Sequence, residues 1–152
     1  MKKANPELLR DLSNFIDGLR SIKKERAFEV ACGECHVTRH ILVHKFEKID
    51  LLDIDGTSIE IAKSLKKEQK KIGCVYHSSM ENFSWDDTWN CIIFRFCIGY
   101  PKKADLIDIL SKAKLCLGER GGKASRATSQ ESYILIQDNV GIDGIKYKRE
   151  KG

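Results

Sequence analysis

The sequence predicts an α/β fold, a doubly wound parallel sheet, on two observations. Five short apolar runs alternate with amphipathic segments of helical period along the 152 residues. The runs are also continuously apolar instead of alternating with polar residues, as strands covered on both faces must be. Right-handed crossovers then give an open sheet whose ligands bind outside the carboxyl ends of its strands.

Each element has its own warrant. Asn5-Pro6-Glu7 joins an N-cap residue, a proline suited to the first helical position and an acid. Leu8, Leu9, Leu12, Phe15, Ile16 and Leu19 follow at helical spacing as the expected inner face, and Gly18 places the end near residues 18–22. AFEVAC (27–32) reads as the first strand. Thr38 to Phe46 is helical with Ile41, Leu42 and Phe46 inward, and IDLLDI (49–54) is the second strand. Ser58 to Lys71 is a charged amphipathic helix with Ile59, Ile61, Ala62 and Leu65 inside. CVYHSSM (74–80) and NCIIFRFCIG (90–99) are the third and fourth strands. Asp105 to Leu117 is a helix through Leu106, Ile109, Leu110 and Ala113, and the polar stretch 118–132 precedes the fifth strand, YILIQDN (133–139).

The length fits one domain: a helical region at 1–26, a core at 27–140 and a basic tail at 141–152. No apolar run reaches the roughly 18–20 residues that span a bilayer, so no membrane partner is expected. The charged N-terminus lacks the apolar centre of a secretory signal. Six scattered cysteines resemble reduced thiols more than a disulfide framework. These features place the chain inside the cell, in the cytoplasm or nucleus. The net charge of +5 is spread over lysine pairs of the kind that solvate surfaces. No basic motif interleaved with aromatic residues points to nucleic acid.

The first strand runs into Cys32-Gly33-Glu34-Cys35-His36, a CxxCH string that admits several chemistries. A c-type haem needs this string in a small fold wrapped around a porphyrin, which the α/β pattern does not provide. Zinc would find Cys32, Cys35, His36, His40 and His44 close in sequence, but no second CxxC supplies a distant knuckle, and the metal expectation is none. A tight turn using cysteine as a small residue is the plain alternative. A fourth reading is a nucleoside crevice. Glu29 lies in the first strand and Asp53 ends the second, roughly where an acid accepts ribose hydroxyls. The glycine pattern of a dinucleotide site is absent.

FEVACGECHVTRHIL, KIDLLDIDGTSIEIAKSL, SSMENF, WNCIIFRFCIGY and YILIQDNV occur in that order from about Pro6 to Val140. Together they resemble the S-adenosylmethionine-dependent methyltransferases, and specifically the protein alpha-N-terminal methyltransferase family. The resemblance implies a Rossmann-like methyltransferase sheet and S-adenosylmethionine as cofactor. It also implies transfer of a methyl group to the alpha-amine of a protein N-terminal peptide. The family's first motif is an acid followed by glycines, of which only Gly33 is kept within Glu29-Val30-Ala31-Cys32-Gly33-Glu34-Cys35-His36. Cys35 is expected to put a side chain where bare backbone meets the cofactor. His36 stands for an arginine that pairs with the methionine carboxylate.

By the same resemblance Asp53 is the ribose acid, Met80 and Glu81 flank the adenine, and Arg95 replaces a cofactor-contacting glutamine. Tyr100 takes the place of a histidine facing the substrate amine, where it offers a hydrogen bond more than a base. Asp138 and Asn139 match the substrate-contacting pair after the fifth strand. Cofactor binding is thus assigned to Glu29, Gly33, His36, Asp53, Met80, Glu81 and Arg95, and the catalytic side to Tyr100, Asp138 and Asn139. Against that family the chain is shortened at both ends and lacks the last antiparallel strands. An open sheet edge is expected, which a protein partner would cover. The rival reading is a catalytically inactive scaffold or binding subunit of a larger complex.

Overall fold

The computed structural model describes residues 4–19, 21–118 and 131–138. Helix α1 (Pro6–Gly18) precedes strand β1 (Arg26–Val30). A π-helical stretch, Thr38–Leu42, runs directly into the α-helical turn Val43–Lys45, and the two together are α2. Next come β2 (Lys48–Asp53), α3 (Gly56–Glu68), β3 (Ile72–His77), β4 (Cys91–Arg95), α4 (Lys103–Leu115) and β5 (Tyr133–Gln137). The strands form one parallel sheet in the order β3-β2-β1-β4-β5. The order reverses between β1 and β4, where an open α/β sheet parts to admit a ligand.

Strand alternation sorts the core into two layers. Ala27, Leu51 and Ile93 face the layer built with Leu12 and Ile16 of α1, Leu42 of α2 and Ala62 and Leu65 of α3. Phe28, Leu52 and Phe94 face the other, with Met80, Phe83, Trp89 and Ile109 of α4. Phe28 stacks on Trp89 with ring centroids 4.4 Å apart. Both faces being covered is why the strands read as unbroken apolar runs.

The local signals act as their chemistry requires. The Asn5 side chain accepts from the Glu7 N–H at 3.0 Å, and that of Asp55 accepts from the Ser58 N–H at 2.8 Å, so each caps its helix. At the amino end of the sheet the buried Asp50 carboxylate accepts from Arg26 Nη2 at 2.8 Å, Trp89 Nε1 at 2.8 Å and the Cys74 N–H at 2.7 Å. Asp87 takes the other face of the guanidinium. This network ties β1, β2 and β3 to the approach of β4.

Two inward expectations fail. Phe15 is 58% exposed, because the contact stripe of α1 runs through Leu9, Leu12 and Ile16 and leaves Phe15 on its flank. Ile54 is 68% exposed, because β2 stops at Asp53 and Ile54 already belongs to the turn into α3. No helix among the described residues is long and apolar enough to cross a membrane.

Candidate functional site

The turn after β1 alternates its backbone hand. Ala31 (φ 55°), Gly33 (φ 52°) and Cys35 (φ 61°) are all left-handed, a region that costs an L-residue about 1–2 kcal/mol. This is why glycine, free to adopt a left-handed backbone, suits all three places. The turn is held by Cys32 N–H to Leu52 O and Cys35 N–H to Cys32 O, both 2.9 Å. Gly33 N–H donates to Asp53 Oδ2 at 2.8 Å, while Asp53 Oδ1 accepts from the Asp55 N–H at 2.9 Å. A Cβ on Gly33 would meet nothing within 4 Å, so its backbone is bare on that side.

The expected intrusion of Cys35 on the cofactor path does not occur. Its side chain is fully buried in the core layer with α1 and α2, and it does not line the cleft. Among the described residues no group of three or more His, Cys, Asp or Glu side chains is placed to hold a metal. Cys32 and Cys35 are buried, whereas His40 and His44 are exposed.

A cleft of about 400 Å³ opens at the carboxyl ends of β1, β2 and β4, within the size range of small-ligand pockets. It gathers Gly33, Asp53, Met80, Glu81, Arg95 and Tyr100. Asp53 is 8% exposed and faces it, Met80 is buried in its wall, and Glu81 and Tyr100 stand exposed at its mouth. Sequence reading missed Leu52, Ile54, Ser78, Phe96 and Cys97, which also line it. Only their position at strand ends could have singled them out. Cys97 is buried, and burial pushes its thiol up to about 12, so it serves as apolar wall.

Glu29 lies outside the cleft. Its side chain points into the α1–α2 layer, 3% exposed, and accepts from Thr38 Oγ1. Burial raises its carboxyl from 4.5 to about 7, against the opposing pull of the Thr38 hydrogen bond and the Arg95 charge. His36 lies outside the main cleft as well. With Asn5, Leu8 and Glu34 it lines a second cavity of about 400 Å³, and its Nε2 is 2.9 Å from Glu34 Oε2. Asp138 follows β5, exposed, near enough for its charge to act on the Cys97 thiol. Asn139 lies outside the described residues.

Arg95 and Phe96 border both cavities. The Arg95 guanidinium lies 4.4 Å from the centre of the Phe96 ring, and its Nε donates to Gln137 Oε1 at 2.9 Å. Among the described residues it has no ion pair within 4 Å. The groups fit an adenosine joined to an amino acid. Asp53 keeps lone pairs for a ribose beyond the two N–H groups it already holds. Leu52, Ile54 and Met80 offer an apolar wall to a base, and Arg95 offers a cation to a carboxylate.

The family model described as AdoMet dependent proline di-methyltransferase matches residues 5–143. The N-terminal Xaa-Pro-Lys N-methyltransferase 1-B of Xenopus laevis is 28% identical over 120 residues, covering 78% of this chain and 49% of the relative. Its Xenopus tropicalis counterpart is 26% identical over 119 residues, covering 77% and 48%. This chain therefore spans about half the length of the curated relatives it matches. Among solved structures, a SAM-dependent methyltransferase of Leishmania major superposes with a TM-score of 0.74 at 22% identity, covering 86% of this chain and 49% of that one. The N-methyltransferase NodS of Bradyrhizobium japonicum, in complex with S-adenosyl-L-homocysteine, gives 0.61 at 16%, covering 74% and 54%. These structural likenesses carry the fold.

Proposed function

The chain belongs to the AdoMet-dependent proline di-methyltransferase family, and from that premise we propose that its cleft binds S-adenosylmethionine and that it methylates the alpha-amine of a protein N-terminal peptide. The observation that carries the reading is the Gly33–Asp53 pair at the sheet's switch point, a bare glycine backbone beside a buried acid. The relatives named for N-terminal Xaa-Pro-Lys methylation support the peptide class.

The cofactor supplies an electrophilic methyl group on a sulfonium. Asp53 accepts hydrogen bonds from the ribose, with Gly33 holding the turn against it. Met80, Leu52 and Ile54 wall the adenine, and Glu81 stands at its edge. Arg95 would meet the amino-acid end, with His36 beyond it in the neighbouring cavity, and Glu29 would brace the start of α2 through Thr38. Tyr100, Asp138 and Asn139 form the substrate side, where they orient the amine and keep its lone pair free. Orientation and exclusion of water provide most of the acceleration in such a transfer. The peptide would enter beside Tyr100, a residue 82% exposed.

A catalytically inactive binding subunit is the second reading, favoured by the engagement of His36 with Glu34 at 2.9 Å. One experiment separates them. The chain is incubated with methyl-labelled S-adenosylmethionine and either a peptide beginning Xaa-Pro-Lys or its N-acetylated form. Label in the free-amine peptide alone supports the enzyme. Cofactor binding without transfer to either peptide supports the binding subunit.

A further inference from the structure

Gln137 at the end of β5 is, among the described residues, the side chain that hydrogen-bonds Arg95. Its carbonyl oxygen accepts from Arg95 Nε at 2.9 Å, and its amide nitrogen donates to Leu8 O of α1 at 3.4 Å. Only one orientation of the amide satisfies both partners. The backbones are matched too: Arg95 pairs with Gln137 in the β4–β5 register, and Phe96 N–H donates to Gln137 O at 2.7 Å. Phe96 then turns left-handed (φ 54°) and brings its ring beneath the guanidinium.

Arg95 is thus fixed on two sides, by an amide and by an aromatic face, at the partition between the two cavities. A free arginine side chain samples many rotamers and gives up that freedom on binding an anion. Here the loss is taken in advance by neutral groups, so that among the described residues no carboxylate pairs directly with the guanidinium and the buried Glu29 acts on it only from beyond ion-pair distance. His36, by contrast, already has an anionic neighbour in Glu34. A ligand carboxylate arriving at this partition meets Arg95 as the available cation.

We propose that Gln137 is a positioning residue that presents Arg95 to the carboxylate of the bound cofactor's amino-acid portion. This rests on the reading of the cleft as a S-adenosylmethionine site. It assigns to the strand end of β5 a role in ligand binding that requires no contact with the ligand. It also couples α1 to the site, since the same amide grips Leu8 O.

The test compares two ligands that share the nucleoside and differ at the amino acid. S-adenosylhomocysteine carries the carboxylate; 5′-methylthioadenosine carries neither carboxylate nor ammonium. Calorimetric dissociation constants are measured for the 152-residue chain, Gln137→Met, Arg95→Met and the double variant, with circular dichroism verifying that each is folded. Gln137→Met is expected to weaken S-adenosylhomocysteine about tenfold, the scale of a hydrogen bond supporting a charged group, and 5′-methylthioadenosine less than about twofold. In the Arg95→Met background the Gln137 substitution is expected to have no further effect. Equal weakening of both ligands, no weakening of either, or an effect that persists without Arg95 overturns the positioning role while leaving the cleft reading intact. Failure of the folded wild-type chain to bind either ligand overturns the cleft reading itself, and this inference with it.

Discussion

Replacing Glu29 with glutamine should remove a pH dependence built into the fold. The carboxyl is buried between β1 and α2, and burial raises it from 4.5 to about 7. Between those values the folded chain holds a proton that the unfolded chain has released. Stability therefore falls as pH rises from about 4.5 to about 7 and levels off above. At about 1.4 kcal/mol for each tenfold change in proton affinity, the span corresponds to about 3 kcal/mol. Glutamine keeps an acceptor for Thr38 Oγ1 and cannot ionise. The difference in unfolding free energy between Glu29→Gln and wild type should grow in favour of the variant by about 2.5 kcal/mol from pH 5 to pH 8. Urea denaturation at four or five pH values in that interval measures it, and subtracting the two curves removes every other titrating group. Parallel curves would refute the reasoning, because they would mean that Glu29 is ionised throughout and compensated by Arg95 or by entering water.

Other substitutions test the frame around the site. Asp50→Ala strips the acceptor from Arg26, the Trp89 indole and the Cys74 N–H at once, and should cost about 3–5 kcal/mol in urea unfolding. Gly73→Ala places a Cβ 2.3 Å from Asp50 Oδ1, an atom pinned by that same network. It should lose about 1–3 kcal/mol, whereas the two substitutions combined should cost less than their sum. Asn5→Ala removes the cap of α1 and should cost about 1 kcal/mol in urea unfolding.

The strands were legible because their physics is simple. Apolar runs such as Cys91–Phe94 can sit nowhere but the middle of a doubly covered sheet. Asn5 announced its helix through side-chain chemistry that operates within three residues, whereas the Asp55 cap went unread and α3 starts at Gly56, two residues before the expected Ser58. Asp53 was legible as an acid ending a buried strand, and the structure sets it in the wall of the cleft. The misses have a common cause, which is that direction depends on tertiary geometry. Cys35 looked like an obstruction on the cofactor path, but a left-handed backbone turns its side chain into the core. Phe15 looked inward at helical spacing, yet α1 meets the sheet along a stripe that passes it by. Glu29 lies only two residues before Ala31 of the cleft wall, but its side chain turns into the α1–α2 layer and not into the cleft. Gln137 carried no signal at all, since its partners lie 42 and 129 residues away.

The Gly33–Asp53 pair is proposed to build a nucleoside site at the switch point. The most direct measurement is a calorimetric titration of S-adenosylhomocysteine into the wild-type chain and into Asp53→Asn, which keeps an acceptor oxygen for the Gly33 N–H but loses the charge. Micromolar binding to the wild type, weakened about 10- to 100-fold by the substitution, is what a carboxylate accepting from ribose hydroxyls requires. Absence of binding to the folded wild type up to about a millimolar ligand, or equal affinity in both proteins, would contradict the account.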